Sequence, residues 1–160
     1  LAFLAAAPRG CLRECAAGHI TASVIVFNAA RTHVLLTLHP RVGKWIQLGG
    51  HCEETDATIS DAATREAREE SGIPGLTVVS DLVQVHTHPI TCSLGVPTRH
   101  LDLRFAAYAD DGPGGGLPAI IRSDESVDLA WWAIDALPEG TEHPAIPTLI
   151  DAALAGSRTG

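Results

Sequence analysis

Two consecutive glycines, Gly49 and Gly50, end a run of strand-type sequence, and from Thr58 the apolar residues change their period. Ile59, Ala62, Ala63 and Ala67 recur at the three- and four-residue spacing of one helix face. Thr58 with Asp61 resembles a capping box, with Asp where Glu is usual, and Gly72 supplies the stop. A helix over 58–71 follows, so the chain must leave its strand after Gly50 and return packed against a sheet. The flanking sequence supplies that sheet. ITASVIVF (20–27) and THVLLTL (32–38) are β-branched, apolar runs parted by a turn at Asn28 to Arg31, and WIQLGG (45–50) is a third strand. LTVVSDLVQVH (76–86), HLDLRFAAYA (100–109) and VDLAWWAI (127–134) read as three more, and DDGPGGGLP (110–118) as a flexible loop. Residues 146–155 form a closing helix, and residues 1–18 a short helix and connector broken at Pro8-Arg9-Gly10. The expected fold is α/β (α+β), a mixed sheet covered on both faces, in one domain over 1–160.

Composition narrows the partners. Apolar residues at 46% and charged residues at 19% describe a globular chain. A net charge of -8 excludes a general nucleic-acid-binding surface. A compact anion can still bind where a metal ion supplies positive charge. LAFLAAA is too short to span a membrane, while Leu at position 1 leaves room for a segment upstream. Cys11, Cys15, Cys52 and Cys92 are too sparse for a disulfide framework, so a reducing cytoplasm is expected. Cys11, Cys15 and His19 would share a metal face only if a helix ran through Gly18.

Glu66, Glu69 and Glu70 fall at i, i+3 and i+4, so their carboxylates converge on one turn of the helix. No basic residue is expected on that face between them. A hard divalent cation, Mg²⁺ or Mn²⁺, would relieve the repulsion; a solvated acidic face is the plain alternative. The segment GGHCEETDATISDAATREAREESGI, with its Arg-Glu-x-x-Glu-Glu-x-Gly core behind a glycine pair, resembles the Nudix box. The resemblance implies a Nudix-like α/β/α sandwich and hydrolysis of a diphosphate bond. It makes Glu69 and Glu70 the main metal ligands and Glu66 a further ligand or the base that orients water. It also makes the Gly49 carbonyl a ligand and Arg65 the salt-bridge partner that holds the glutamates. The sequence departs from the family pattern twice. One extra residue separates Gly50 from Arg65, so that Asp56 stands in for a glutamate, and Leu48 stands where Pro commonly precedes the glycines.

Beyond this segment, Glu125 is the first candidate for a further acidic ligand or base and Asp124 the second. In HLDLRF the alternation puts His100, Asp102 and Arg104 on one face, as substrate-pocket residues with Arg104 on phosphate or as a solvated strand face. His51 follows the glycines and can point at phosphates. His86 and His88 share a strand face. Trp131 and Trp132 point opposite ways, one into the core and one available to stack on a base; Trp45 is core. The expected activity is Mg²⁺-dependent cleavage of a nucleoside diphosphate linked to another group, or of a nucleoside triphosphate. The competing readings are a Nudix-like module that senses nucleotide without cutting it, and an isoprenoid diphosphate isomerase built on Cys52 or Cys92. The expected partner is a small nucleotide, with neither nucleic acid nor membrane; a homodimer is common among similar proteins.

Overall fold

The computed structural model describes residues 2–91 and 95–156. Cys92 lies outside the described residues. After a short helix α1 (Ala2–Ala6), the order is β1 (His19–Asn28), β2 (His33–Leu38), β3 (Trp45–Ile46), β4 (Leu48–His51) and α2 (Ile59–Ser71). There follow β5 (Thr77–Val78), β6 (Gln84–Thr91), β7 (Pro97–Ala109), β8 (Asp128–Ala133) and α3 (Ala145–Gly156). All eight strands join one mixed sheet. Its spine is the parallel pairing of β1 with β7, in register from His19 opposite His100 to Asn28 opposite Ala109. The other edge of β1 is shared: β2 pairs with its end at Val26 and Phe27, and β4 with its beginning from Thr21 to Val24.

Every residue of β1 is buried, because both faces of this strand are covered. Ile20, Ala22, Val24 and Val26 pack on the side that meets α2, against Ala62, Ala63 and Ala67. Three alanines let the helix sit close to the sheet, each buried methyl contributing about 0.8 kcal/mol. Ile25 and Phe27 face the other way and meet Ile146, Leu149 and Ile150 of α3. The same face continues beyond α3 into His19, Thr21 and Ser23, which are polar and also buried. One face of the sheet is thus half apolar core and half polar floor.

Local signals acted as expected around α2. Thr58 is the N-cap, its Oγ1 accepting from the Asp61 N–H at 3.1 Å, and Gly72 closes the helix at φ 67. The box is incomplete in one respect: the Asp61 carboxylate accepts from the Thr58 hydroxyl at 2.8 Å, since Asp is a methylene shorter than Glu. Two strands expected as single runs are divided. WIQLGG breaks at Gln47, and 76–86 breaks because Ser80 to Leu82 bulge outward. Both sides of that bulge stay tied to β7, through Val79 N–H to Ala106 O at 2.8 Å and Val83 N–H to Arg104 O at 2.9 Å. Among the described residues no helix is long and apolar enough to cross a membrane.

Gly49 is required where it stands. Its φ is +141, and a Cβ there would run into Ser23 Cα and lie 2.5 Å from the Ala22 carbonyl oxygen. Gly49→Ala is expected to lose about 2–5 kcal/mol of stability in urea unfolding, from backbone strain plus overpacking. Gly43→Ala, at φ +66 with nothing within 4 Å, should lose only the strain, about 1–2 kcal/mol.

Candidate active site

The glycine pair and the glutamate face of α2 are built against each other. The Gly49 N–H donates to Glu70 Oε2 at 2.9 Å. A Cβ on Gly50 would lie 2.6 Å from Glu66 Oε1, so the absence of a side chain is what admits that carboxylate. Glu66 and Glu70 are buried, at 9% and 7% exposure, while Glu69 is open to solvent.

The expectation that no basic side chain lies among the glutamates is corrected. Arg65 reaches around its own helix, and its Nη1 donates to Glu66 Oε1 at 3.0 Å and to Glu69 Oε2 at 3.2 Å. Its Nη2 donates to the His51 carbonyl at 2.9 Å and to Asp56 Oδ2 at 3.0 Å, and its Nε to Asp56 Oδ1 at 3.1 Å. One guanidinium therefore ties the extra-residue loop, the end of β4 and two glutamates together, a task suited to its planar fork of donors. Asp56 also accepts the Glu53 N–H at 2.8 Å. The Arg65 hydrogen bonds hold its carboxyl below the usual value of 3.8. Ala57, the next residue of the loop, is exposed.

Even with Arg65 in place, the site is short of positive charge. Burial pushes Glu66 up to about 6 against the opposing pull of Arg65, with Glu69 and Glu125 adding to the rise. Burial pushes Glu70 up to about 8, opposed by the Gly49 N–H and aided by Glu66, Glu125 and Glu69. Glu125, exposed in the loop before β8, is thereby brought into electrostatic range of both buried carboxylates. Oxygen donors that repel one another around one helical turn fit a hard divalent cation, the chemistry of Mg²⁺ or Mn²⁺. A shallow cleft of about 530 Å³ lies beside Arg65 and Glu69, with Asp56 and Arg68 in its wall; Glu66 and Glu70 do not line it.

Across β4 lies the polar floor. Register places Thr21 beside His51 and Asp102, Ser23 beside Arg104, and His19 beside His100, all on one face. β6 adds His86 opposite Asp102 and His88 opposite His100. Asp102 and Arg104 are not a solvated strand face, being 4% and 2% exposed. Asp102 accepts from Arg104 Nε at 2.7 Å, Ser23 Oγ at 2.9 Å and Thr21 Oγ1 at 3.0 Å, and Arg104 Nη1 donates to Gln84 at 3.1 Å. Burial first, then neighbouring positive groups, hold His51 and His100 down to about 4, so both rings are neutral at neutral pH. The contribution of β1 to this floor escaped the sequence reading, although His19, Thr21 and Ser23 alternate with apolar residues at strand period.

Other expectations fall away. Residues 11–18 are turns, so Cys11, Cys15 and His19 share no helix face. Cys52 is buried, and burial pushes its thiol up to about 12, which leaves no thiolate for isomerase chemistry. Trp131 and Trp132 each pack on a core cluster, and the Trp131 indole N–H donates to Pro118 O at 3.1 Å, so neither is set apart for a base.

A family model described as NUDIX domain matches residues 18–152. Among solved structures, a NUDIX-family hydrolase from Clostridium perfringens aligns with a TM-score of 0.62 at 23% identity, covering 83% of this chain and 96% of that one. An E. coli dihydroneopterin triphosphate pyrophosphohydrolase aligns at 0.66 and 21% identity, covering 86% and 95%. A C. elegans Ap4A hydrolase in a binary complex aligns at 0.64 and 18% identity, covering 88% and 98%. These likenesses establish a shared fold. No curated protein matches the sequence.

The Asp56–Arg65 pair makes a pH-resolved prediction. A carboxyl held below its ordinary value contributes stability that is complete above that value and is lost as pH falls through its folded value. Asp56→Asn should therefore cost about 1.5–3 kcal/mol in urea unfolding at about pH 5–8. The gap to wild type should close as pH falls below 3.8. A gap that persists unchanged in acid would show that the charge of Asp56 is not what holds the loop.

Proposed function

The chain belongs to the NUDIX domain family of hydrolases, and on that premise we propose that it cleaves a diphosphate bond in a small nucleotide with Mg²⁺ or Mn²⁺. The substrate is a nucleoside diphosphate linked to another group, or a nucleoside triphosphate. The observation that carries this reading is the packing of Glu66 and Glu70 against Gly50 and Gly49, with exposed Glu69 joined to Glu66 through Arg65. Two buried carboxylates and an exposed third, with a single arginine among them, are an arrangement that a divalent cation stabilises and that a nucleotide sensor has no need to retain.

Glu66, Glu69, Glu70 and the carbonyl of Gly49 would hold the cation, which when bound neutralises diphosphate charge and lowers the pKa of water. Glu66 takes the proton of the attacking water; Glu125 is the competing base. Arg65 positions Glu66 and Glu69. The substrate lies over the floor beyond β4, where His51 and His100 present half-buried rings and Arg104, braced by Asp102, supplies positive charge beneath. Two structural neighbours are named as an Ap4A hydrolase and a dihydroneopterin triphosphate pyrophosphohydrolase, and those names support a polyphosphate substrate here. The whole of 1–160 acts as one domain, and free Cys11, Cys15 and Cys52 suit a reducing cytoplasm.

The test is a panel of nucleotide sugars, dinucleotide polyphosphates, ADP-ribose and nucleoside triphosphates, with phosphate readout in Mg²⁺ and in chelator. Turnover should vanish in chelator. Glu66→Gln should lower kcat by ~10²–10⁴ and leave substrate affinity within a few-fold, while Glu69→Gln should raise the Mg²⁺ requirement. Wild-type turnover in Glu66→Gln at saturating Mg²⁺, with none in Glu125→Gln, would transfer the base to Glu125. Tight nucleotide binding without turnover of any panel member would replace the hydrolase with the sensor.

A further inference from the structure

The floor beyond β4, besides lying under the proposed substrate, holds a cluster of imidazoles that the cation chemistry of the α2 carboxylates does not require. His19 from β1, His51 from β4 and His100 from β7 each place a ring nitrogen within 4.8 Å of one from both of the others. Their rings meet with centroids 4.8 to 5.2 Å apart. Three separate strands supply them, and the register that brings them together also fixes their Cα positions.

Three features distinguish this group from histidines that merely fill space. His19 Nδ1 lies 3.3 Å from the Cys15 carbonyl, and ligating histidines are commonly oriented by such a contact. The Nε2 of His100 is buried without a hydrogen-bond partner, a cost that a bound ion or a water would remove. His19 is fully buried while the other two rings are half-buried, so an ion can enter past them.

We propose that His19, His51 and His100 form a three-nitrogen site for a transition-metal ion such as Zn²⁺, separate from the carboxylate site on α2. Imidazole nitrogen selects Zn²⁺ and its neighbours over Mg²⁺, so the two sites sort different ions. Tetrahedral Zn²⁺ with Zn–N near 2.0–2.1 Å needs nitrogens about 3.3 Å apart, so the half-buried rings must close on the ion as it binds. Three protein ligands leave a fourth position for water or an oxygen of a phosphate. The inference does not depend on the hydrolase reading, because it concerns Zn²⁺ binding alone.

The experiment is calorimetric titration of the wild-type chain with Zn²⁺ in saturating Mg²⁺, which occupies the carboxylates. One Zn²⁺ per chain is expected, retained in Glu69→Gln with Glu70→Gln. Binding should weaken more than about 100-fold in His51→Ala with His100→Ala, since even an outer partner of a ligating ring is worth roughly 10–100-fold. Absence of Zn²⁺ binding in wild type, its loss in the glutamate variant, or its survival in the histidine variant would each overturn the site. Because removing two rings from the floor can unfold the chain, ¹⁵N spectra of the wild-type histidine rings provide the second measurement. Zn²⁺ should shift His19, His51 and His100 and leave His33 and His143 in place; shifts confined to other histidines would equally refute it.

Discussion

Placing like charges below a protein surface is the constraint on which the structure turns. Glu66 and Glu70 lie on the same buried side of α2 as Ala63 and Ala67, so packing the helix on the sheet forces the carboxylates in with the alanines. An unpaired buried carboxylate costs several kcal/mol. The surroundings answer that cost piece by piece. Gly49 turns an N–H onto Glu70, Gly50 vacates the volume Glu66 needs, and Arg65 spans Glu66 and Glu69. Burial still holds both carboxyls above their usual range. The remaining demand for positive charge is what suits this helix face to a divalent cation.

The loop between β4 and α2 shows how a departure from a motif is absorbed. With one residue more than the family pattern, it must close over a longer path. Asp56 provides the closure by taking two hydrogen bonds from Arg65 and one from the Glu53 N–H. The helix register is untouched, because Thr58 caps it from within the loop. Leu48, in place of the usual Pro, enters the core fully buried and pairs with Val24.

What could be read from the sequence was what is local. The helix and its caps follow from spacing within a few residues, and each stands where the pattern put it. The reach of Arg65 came only from the resemblance to the box, because a face count treats a side chain as a point, whereas arginine is long enough to fold back over its own helix. The floor was half seen. His100, Asp102 and Arg104 could be assigned to one strand face, but their burial depends on β1 and β6 lying either side, which no local pattern encodes. His19, Thr21 and Ser23 alternate visibly, yet the run beginning at Ile20 read as continuously apolar because its later half is so.

The parallel pairing of β1 with β7 also has a temporal meaning. His19 and His100, or Thr21 and Asp102, meet only after some eighty residues of chain have been looped out between them. Closing so long a loop is entropically expensive before any contact rewards it, so such pairings form late in folding. α2 and the β1–β2 hairpin, by contrast, are made from neighbours in sequence. During synthesis the glutamate face therefore emerges well before the strand that completes the floor beside it. A nascent chain that has exposed residues 19–72 already carries Glu66, Glu69 and Glu70, but lacks the Asp102–Arg104 pair until β7 has docked.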